Sequence, residues 1–164
     1  MGGWADGRLT TAVISLSVLL LAGCNPATTR PFFLPYPQAP NAVIDARPER
    51  LVPELTGWLT GQGLRIEFAS TIDGFVESQW YNLVTKQSSA GSGDPGDLQN
   101  AVKIRCWADP NVPGKSQLTI EVVYRPLLDP SRPERDLERL VLAGSDGARL
   151  GDQLLGAMKL RFGQ

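Results

Sequence analysis

Histidine is absent from the 164 residues of this sequence, and cysteine occurs only twice, at Cys24 and Cys106. The lack of histidine excludes the commonest general base, the Ser-His-Asp triads and most zinc sites. Three aspartates, Asp129, Asp136 and Asp146, fall at predicted loops and helix starts, where capping is their usual role. We therefore expect no enzyme activity, no metal site and no cofactor.

A charge excess of either sign is also lacking, because 16 Lys and Arg residues stand against 17 Asp and Glu residues. Such a balance creates no field that attracts nucleic acid, so no nucleic-acid partner is expected. The apolar run at residues 9–21 has the length of a signal-peptide core and is too short to span a bilayer.

The apolar run ends at Leu21-Ala22-Gly23-Cys24, which resembles the lipobox of bacterial lipoproteins. The resemblance implies that residues 1–23 are a signal peptide, and that Cys24 carries diacylglycerol and an N-acyl chain such as palmitate. Several acyl chains form a stable anchor. Asn25 follows the cysteine, which by similarity to the enterobacterial sorting pattern implies the periplasmic face of the outer membrane. Cys106 is then left without a partner for an intrachain disulfide.

A Pro-rich tether over residues 24–40 is predicted to join the anchor to a domain over residues 41–164. Its prolines favour an extended conformation of roughly 3.1 Å per residue, which could hold the domain about 50 Å from the lipid. Phe32, Phe33 and Tyr36 make the tether more aromatic than a spacer requires. Three alternatives stay open: the tether packs on its own domain, binds a partner, or inserts into the lipid interface.

Two amphipathic helices and one short helix are predicted in the domain. The first helix has apolar residues at helical spacing, namely Leu51, Leu55, Trp58 and Leu59, and Pro53 kinks it or marks its start. A capping-box pattern at Ser131 and Glu134 predicts a short helix over residues 134–142. The last helix follows Ser145 and buries five apolar side chains, Leu150, Leu154, Leu155, Met158 and Phe162.

Four antiparallel strands are predicted between these helices. Apolar and polar residues alternate over 64–68 and 75–84, which predicts two strands joined by a two-residue turn at Asp73-Gly74. In this register Ile66 lies opposite Tyr81. Residues 101–107 and 117–125 alternate as two further strands. Both long helices need an apolar surface, and only one sheet face is strongly apolar. The predicted fold class is therefore α+β, a four-stranded antiparallel sheet with N- and C-terminal helices on one face, in a helix-grip-like arrangement.

The predicted register gives the sheet two different faces. The apolar face carries Cys106 as an inert thiol, with Leu64, Ile66, Phe68, Phe75, Tyr81 and Leu83. The second face mixes apolar and charged side chains, namely Val76, Trp80, Trp107, Val123, Arg65, Lys103, Arg105, Arg125, Glu67 and Glu121. Aromatic residues flanked by arginine are typical of interface centres, and the alternative is that cross-strand stacking simply covers an exposed sheet. The candidate partner-binding residues are Phe32, Phe33, Tyr36, Trp80, Trp107, Arg105 and Arg125.

Two glycine motifs are interpreted as turns. Residues 91–96 match G-x-G-x-x-G, but they contain Pro95 and precede a strand, whereas a dinucleotide-binding motif opens a helix. Gly114-Lys115-Ser116 has the last letters of a P-loop, yet Pro110 and Pro113 remove amides that would hold phosphate.

The order of a lipobox, a long tether, a helix, antiparallel strands and a closing helix resembles the helix-grip modules of BamC-type lipoproteins, accessories of the outer-membrane β-barrel assembly machine. In that family the extended N-terminal segment grips another lipoprotein, which implies a similar role for residues 32–37. LptE-type lipoproteins, which plug and assist the lipopolysaccharide translocon, also combine a lipobox, a four-stranded sheet and two helices.

Two functions are therefore expected as alternatives. The first is a lipid-anchored interaction or scaffold protein of the envelope, and it predicts a filled core between helices and sheet. The second is a protein that binds a lipid or another amphiphile between helix and sheet, and it predicts a cavity there of roughly several hundred Å³.

Overall fold

The computed structural model describes residues 30–89 and 99–163. The predicted signal peptide, the lipidation site Cys24 and residues 25–29 of the tether lie outside this part of the chain, as do residues 91–96. Among the described residues, no helix has both the length and the apolar character needed to cross a bilayer.

The described residues form three helices and eight antiparallel-paired strands. The helices are α1 (Pro48–Gly61), α2 (Glu134–Leu137) and α3 (Asp146–Phe162). The strands are β1 (Asn41–Ile44), β2 (Ile66–Ser70), β3 (Phe75–Ser78), β4 (Tyr81–Asn82), β5 (Gln87–Ser88), β6 (Ala101–Pro110), β7 (Ser116–Tyr124) and β8 (Arg139–Leu140). Five strands lie side by side in the order β1-β7-β6-β3-β2, while β4 pairs with β5 and β6, and β8 pairs with β7.

The α+β class and the antiparallel sheet are confirmed, but the predicted number of four strands is wrong. The strands that were missed as separate elements are β1, β4, β5 and β8, and none is longer than four residues. Such short strands present too few residues for an alternating pattern. Three of them, β1, β4 and β8, pair with the long strands β6 and β7, and β5 pairs with β4, so that tertiary contacts decide their formation.

Helices α1 and α3 pack on the same face of the sheet, which we call the helix face. The buried side chains between the helices and the strands include Leu51, Leu55, Leu59, Leu154, Leu155, Met158, Val76, Val102, Ile104, Cys106, Leu118, Ile120 and Val122. Helix α1 begins at Pro48, so the exposed Pro53 lies inside it and does not mark its start. Ser145 caps α3 by accepting a hydrogen bond of 3.2 Å from the backbone N–H of Ala148.

The short helix α2 ends at Leu137, five residues before the predicted end at Leu142. Glu138 leaves the helix in an extended conformation (φ −75°, ψ 150°), and its carboxylate is fully buried. Residues 139–140 then pair with β7. The predicted capping box is also wrong, because Pro133 occupies the N-cap while the Ser131 hydroxyl donates to Asp129 Oδ1 at 2.6 Å. The need to bury and pair Glu138 overrides the local helical pattern.

The hairpin between β2 and β3 differs from its prediction. Ser70 pairs with Phe75, so the loop contains four residues, and Ile66 lies opposite Ser78 rather than Tyr81. Gly74 is the last residue of this loop and lies directly against β6. Its carbonyl oxygen accepts a hydrogen bond of 2.7 Å from the Ala108 N–H, and a Cβ on Gly74 would lie 2.3 Å from the Ala108 carbonyl oxygen. Only glycine can approach β6 this closely, with φ at +60°.

This register, with a bulge between Ile66 and Phe68, reverses the predicted faces near the loop, whereas Leu64, Ile66, Tyr81 and Leu83 pack in the core beneath the helices as predicted. Val76 pairs with Cys106 and lies in the core beneath the helices. Phe75 pairs with Trp107 on the second face, and Phe68 lies opposite Glu77, half exposed. The predicted positions of Val76, Phe75 and Phe68 are therefore wrong, whereas β6 and β7 alternate as predicted.

Candidate functional site

The second face of the sheet is closed, although the sequence predicted an open aromatic surface. Trp80 is 0% exposed and Trp107 is 1% exposed. Residues 30–40, which we call the strap, lie across this face, and residues 134–140 cover it beside them. We call it the strap face. Of the three alternatives for residues 30–40, packing on the protein's own domain is therefore the arrangement observed.

Hydrogen bonds attach the strap at both ends and in its middle. Near its start, Arg30 Nη2 donates to Asp109 Oδ1 at 2.6 Å. In the middle, the Tyr36 N–H donates to Glu121 Oε2 at 2.9 Å and the Tyr36 hydroxyl donates to the Glu138 carbonyl oxygen at 2.9 Å. At its end, the Ile120 N–H donates to the Pro40 oxygen at 2.9 Å. The strap thus continues into β1 as part of the sheet edge.

Aromatic rings of the strap stack on guanidinium groups of the domain. The Phe33 ring centroid lies 4.2 Å from Arg135 Cζ and 5.0 Å from Arg105 Cζ, and the Tyr36 ring lies 4.0 Å from Arg135 Cζ. Each such contact contributes about 0.5 to 2 kcal/mol, more when water is excluded. These two strap aromatics are therefore explained by the domain's own arginines.

Of the two predicted tryptophans, Trp80 stacks on cations and Trp107 packs against an aromatic ring. The Trp80 ring lies 5.2 Å from Lys103 Nζ and 5.1 Å from Arg125 Cζ, while packing against Val123. Trp107 packs against the Phe75 ring with centroids 5.4 Å apart. The predicted stacking of aromatic and cationic side chains is observed at Trp80. The prediction that this surface is exposed is wrong, because both tryptophans are buried.

An ionic cluster centred on Arg105 fills the space beneath the strap. Its members are Glu77, Lys103, Arg105, Glu121, Arg135 and Glu138. Arg105 forms a bidentate pair with Glu138, with N–O distances of 2.7 and 2.8 Å. The same guanidinium lies 3.2 Å from Glu121 and 3.3 Å from Glu77. Both Nη atoms of this planar guanidinium donate hydrogen bonds to carboxylates, whereas Nε lies at ion-pair distance from Glu77 without a hydrogen bond.

The outer half of the ionic cluster is built on Glu121 and Arg135. Both Arg135 Nη atoms bind the Glu121 carboxylate, at 2.5 and 3.0 Å, and Arg135 Nη2 also donates to the Leu34 carbonyl oxygen at 3.1 Å. Lys103 completes the charge balance by pairing with Glu77 at 3.1 Å. Six ionised groups, three of each sign, are thus desolvated together, which is tolerable only because each is paired.

The ionic cluster shifts the titration of its central pair. Burial alone would lower the pKa of Arg105, but its hydrogen bond to Glu138 and the charges of Glu138, Glu77 and Glu121 outweigh burial and raise it. Burial alone would raise the pKa of Glu138, but its hydrogen bond to Arg105 and the charges of Arg105, Lys103 and Arg135 lower it. Both groups are therefore held in their charged forms.

Sequence reasoning missed half of the ionic cluster. Arg65 and Glu67 were expected on this face, and neither belongs to the cluster. Glu77 was not among the residues predicted for this face, and Glu138 was assigned to a helix that ends before it. A signal was available in principle, because Lys103 and Arg105 at buried strand positions require carboxylates from elsewhere in the chain.

The described surface also has an apolar groove beside the N-terminal half of α3. It has a volume of about 510 Å³ and is lined by Val122, Val141, Ala148 and Gly151, with Pro40 at its rim. A second depression of about 330 Å³ shares Val141 and Leu142 with it. The space between helices and sheet is itself occupied by the buried side chains of the core. The groove therefore lies between α3 and the edge of the sheet formed by β7 and β8, and a ligand-binding cavity between helix and sheet stays a prediction.

The other residues singled out from the sequence differ in exposure, since Phe32 is exposed and Arg125 and Cys106 are buried. Phe32 points away from the domain, Arg125 is buried and lies 3.0 Å from Glu134, and Cys106 is fully buried with its pKa raised by burial. Within residues 30–89 and 99–163, no three His, Cys, Asp or Glu side chains are grouped so that they could hold a metal ion. Partner binding by the seven candidate residues stays a prediction, and four of them, Trp80, Trp107, Arg105 and Arg125, are buried.

No protein-family model matches this sequence, and no curated protein matches it.

Proposed function

We propose that this chain is a lipid-anchored envelope protein without catalytic activity that serves as an interaction scaffold, attached through Cys24 at the periplasmic face of the outer membrane. The observation that carries the proposal is the docked strap. Residues 30–40 are fixed to the sheet, so only residues 25–29 separate Cys24 from the folded domain. This linker spans at most about 20 Å. The anchor thus holds the domain at the membrane surface, in contrast to the expected tether of about 50 Å.

The state of the charged groups supports a structural role for the strap face. Acid and base catalysis needs groups whose protonation changes during turnover. Glu121 and Glu138 are instead fully buried and bound by two arginines, and the pKa of Glu138 is lowered by them. Cys106 is buried in the helix face with its pKa raised, which opposes formation of a nucleophilic thiolate. The pairing and burial of these groups therefore support a structural role rather than a catalytic one.

The lipid anchor is tested by metabolic labelling with palmitate. Cys24→Ser should abolish incorporation and leave an unprocessed precursor, because the thioether cannot form. Cys106→Ser is the matched control and should label normally, since that thiol is buried. Incorporation of label into the Cys24→Ser protein would contradict the proposed anchor.

The scaffold role is tested by site-specific photo-crosslinking in intact envelopes. Leu142 and Leu160 are exposed leucines outside the strap, 74% and 92% accessible, and a photoreactive residue at either position should capture a discrete envelope protein. The similarity to BamC-type modules makes components of outer-membrane protein assembly the first partners to examine. A protein that is lipidated yet forms no adduct at these positions would contradict the scaffold.

Binding of an amphiphile in the groove beside α3 is a second candidate function, favoured by its volume of about 510 Å³ and its apolar walls. The test is titration of the purified protein with a fluorescent fatty acid. Ala148→Leu should fill the groove and abolish binding, whereas Gly156→Leu, on the same helix where a Cβ meets nothing within 4 Å, should not. Equal binding by both variants would rule out this groove.

A further inference from the structure

The strap has two sides, and only its inner side is explained by contacts within the domain. Phe33 faces inward onto Arg105 and Arg135. Its neighbours Phe32 and Leu34 face outward and are 103% and 84% exposed. Two large apolar side chains therefore stand free in water on either side of an anchored one, on a segment that binds the domain through other atoms.

A third exposed apolar side chain lies at the same end of the strap. Ile72, at the tip of the β2–β3 loop, is 95% exposed. Arg30 Nη1 donates to the carbonyl oxygen of the next residue, Asp73, at 3.3 Å, and Arg30 and Ile72 line one depression of about 270 Å³. Three exposed apolar side chains, Phe32, Leu34 and Ile72, thus belong to the end of the domain that the chain enters from the direction of Cys24.

The length of chain before the strap identifies what covers these side chains. Phe32 is eight residues from Cys24, a distance of at most about 28 Å, and the strap cannot swing freely because Arg30 and Tyr36 attach it. We infer that Phe32 and Leu34 lie in the lipid–water interface of the membrane that holds Cys24, with Ile72 beside them. This inference rests on the proposed lipid anchor. It assigns an orientation, with the strap face towards the bilayer and the helix face away from it.

The proposed contact with the membrane depends on apolar side chains rather than on charge, because the cation near the strap's start is already paired. Arg30 is paired with Asp109 at 2.6 Å, so its charge is balanced within the protein. Aromatic and aliphatic side chains enter the interface by burying apolar area, typically about 5 to 10 Å into the boundary between headgroups and acyl chains. The contact should therefore persist in vesicles of zwitterionic lipid and at high salt.

A fluorescent probe at position 32 tests this orientation in the full lipidated protein. Phe32→Cys is labelled with an environment-sensitive maleimide, and the only other thiol left after lipidation is Cys106, which is fully buried. After reconstitution into phosphatidylcholine vesicles, the probe should shift its emission to shorter wavelength, lose intensity with brominated lipid and resist aqueous iodide. Leu160→Cys is the matched control, an exposed leucine on α3, which packs on the opposite face, and its probe should be quenched by iodide alone.

Palmitate incorporation is measured on the same preparations, so that the two proposals fail separately. Lipidated protein whose position-32 probe is quenched by iodide would overturn the inference and leave the anchor intact. A probe protected from both iodide and brominated lipid would also overturn it, because in purified vesicles only a second copy of the chain could cover the site. Protein without palmitate would overturn the anchor and the inference together.

Discussion

The two faces of the sheet are both buried, but by opposite chemistry. Along β6, Val102, Ile104 and Cys106 enter the helix face, while Lys103, Arg105 and Trp107 enter the strap face. The helix face buries apolar side chains, a contribution that depends on area more than on direction. The strap face buries charges, and it tolerates them only because partners arrive from β3, β7, the strap and residues 134–140.

The comparison teaches that the two faces have different weaknesses. When a buried aliphatic side chain is truncated, the loss of stability increases with the number of methylene and methyl groups removed and with the volume of the cavity left behind. A buried ionic cluster adds little net stability over an apolar core of the same shape, yet losing one partner leaves a charge desolvated. The helix face should therefore weaken gradually under mutation, and the strap face should fail abruptly. Substitutions at four positions, Glu138, Leu154, Phe33 and Gly151, test this difference.

Removal of Glu138 should have the largest effect. Glu138→Ala leaves Arg105 buried without its bidentate partner, and we expect a loss of about 3 to 5 kcal/mol in the free energy of unfolding. Urea unfolding measures the loss. The control is Glu54→Ala, which breaks a solvent-exposed pair with Arg161 and should cost at most about 1 kcal/mol. Similar losses in both variants would show that the ionic cluster is solvated.

Acid provides an independent check on the same carboxylate. The pKa of Glu138 in the folded state lies below its ordinary value of 4.5, so the unfolded chain binds the proton more readily. Its contribution is therefore complete above about pH 4.5 and is lost as the pH falls through the folded-state pKa. Glu138→Gln should remove this part of the acid sensitivity. If the pH dependence of the unfolding free energy were the same in Glu138→Gln as in the unmodified protein, groups other than Glu138 would cause the acid sensitivity.

Truncation in the helix face should come second. Leu154 is fully buried, and Leu154→Ala should cost about 2 to 5 kcal/mol, which reflects lost transfer energy and the cavity that remains. Thermal and urea unfolding should both stay cooperative. Leu160→Ala, on the exposed side of the same helix, is the control and should leave stability unchanged. A larger loss from Leu160 would mean that α3 has its faces reversed.

The third effect separates the two sides of the strap. Phe33→Ala removes the ring from Arg105 and Arg135, and we expect a loss of about 1 to 2 kcal/mol from the two cation–π contacts. Phe32→Ala should not change the unfolding free energy, because that side chain contacts water. Equal stability of the two variants would contradict the docked strap.

The smallest effect tests how closely α3 approaches the sheet. A Cβ on Gly151 would lie 2.9 Å from Val122 Cγ2, so Gly151→Ala should lose about 1 kcal/mol, since overpacking outweighs the gain in helix propensity. Gly156 has nothing within 4 Å, and Gly156→Ala should instead stabilise the helix by about 0.5 to 1 kcal/mol. Calorimetry distinguishes the two signs. A stabilising Gly151→Ala would mean that the contact relaxes freely.

The long periodic segments were predictable because their pattern is decided locally. The alternation of β6 and β7 and the stripes of α1 and α3 place Ile104, Leu118, Leu55 and Leu154 correctly. Gly74 shows where local reasoning fails. Its sequence favours a two-residue turn, but its contact with Ala108 on a distant strand fixes it at the end of a longer loop.

The candidate site was only half predictable for the same reason. Strand alternation placed Lys103, Arg105 and Trp107 on one face of β6 with Glu121 beside them on β7, which the structure bears out. The missed members of the cluster are Glu77, Arg135 and Glu138, and Phe33 comes from a segment whose prolines predicted only an extended chain. Pairings across such distances leave no periodic trace in a single sequence.

The strap closes on groups that are synthesised about a hundred residues after it. Tyr36 and Glu138 are separated by 102 positions, and Leu34 and Arg135 by 101. Contacts of such high sequence separation form slowly, because the chain loses the entropy of closing the intervening loop before the contacts contribute any stabilisation. A chain made from its N-terminus therefore fixes its first segment last.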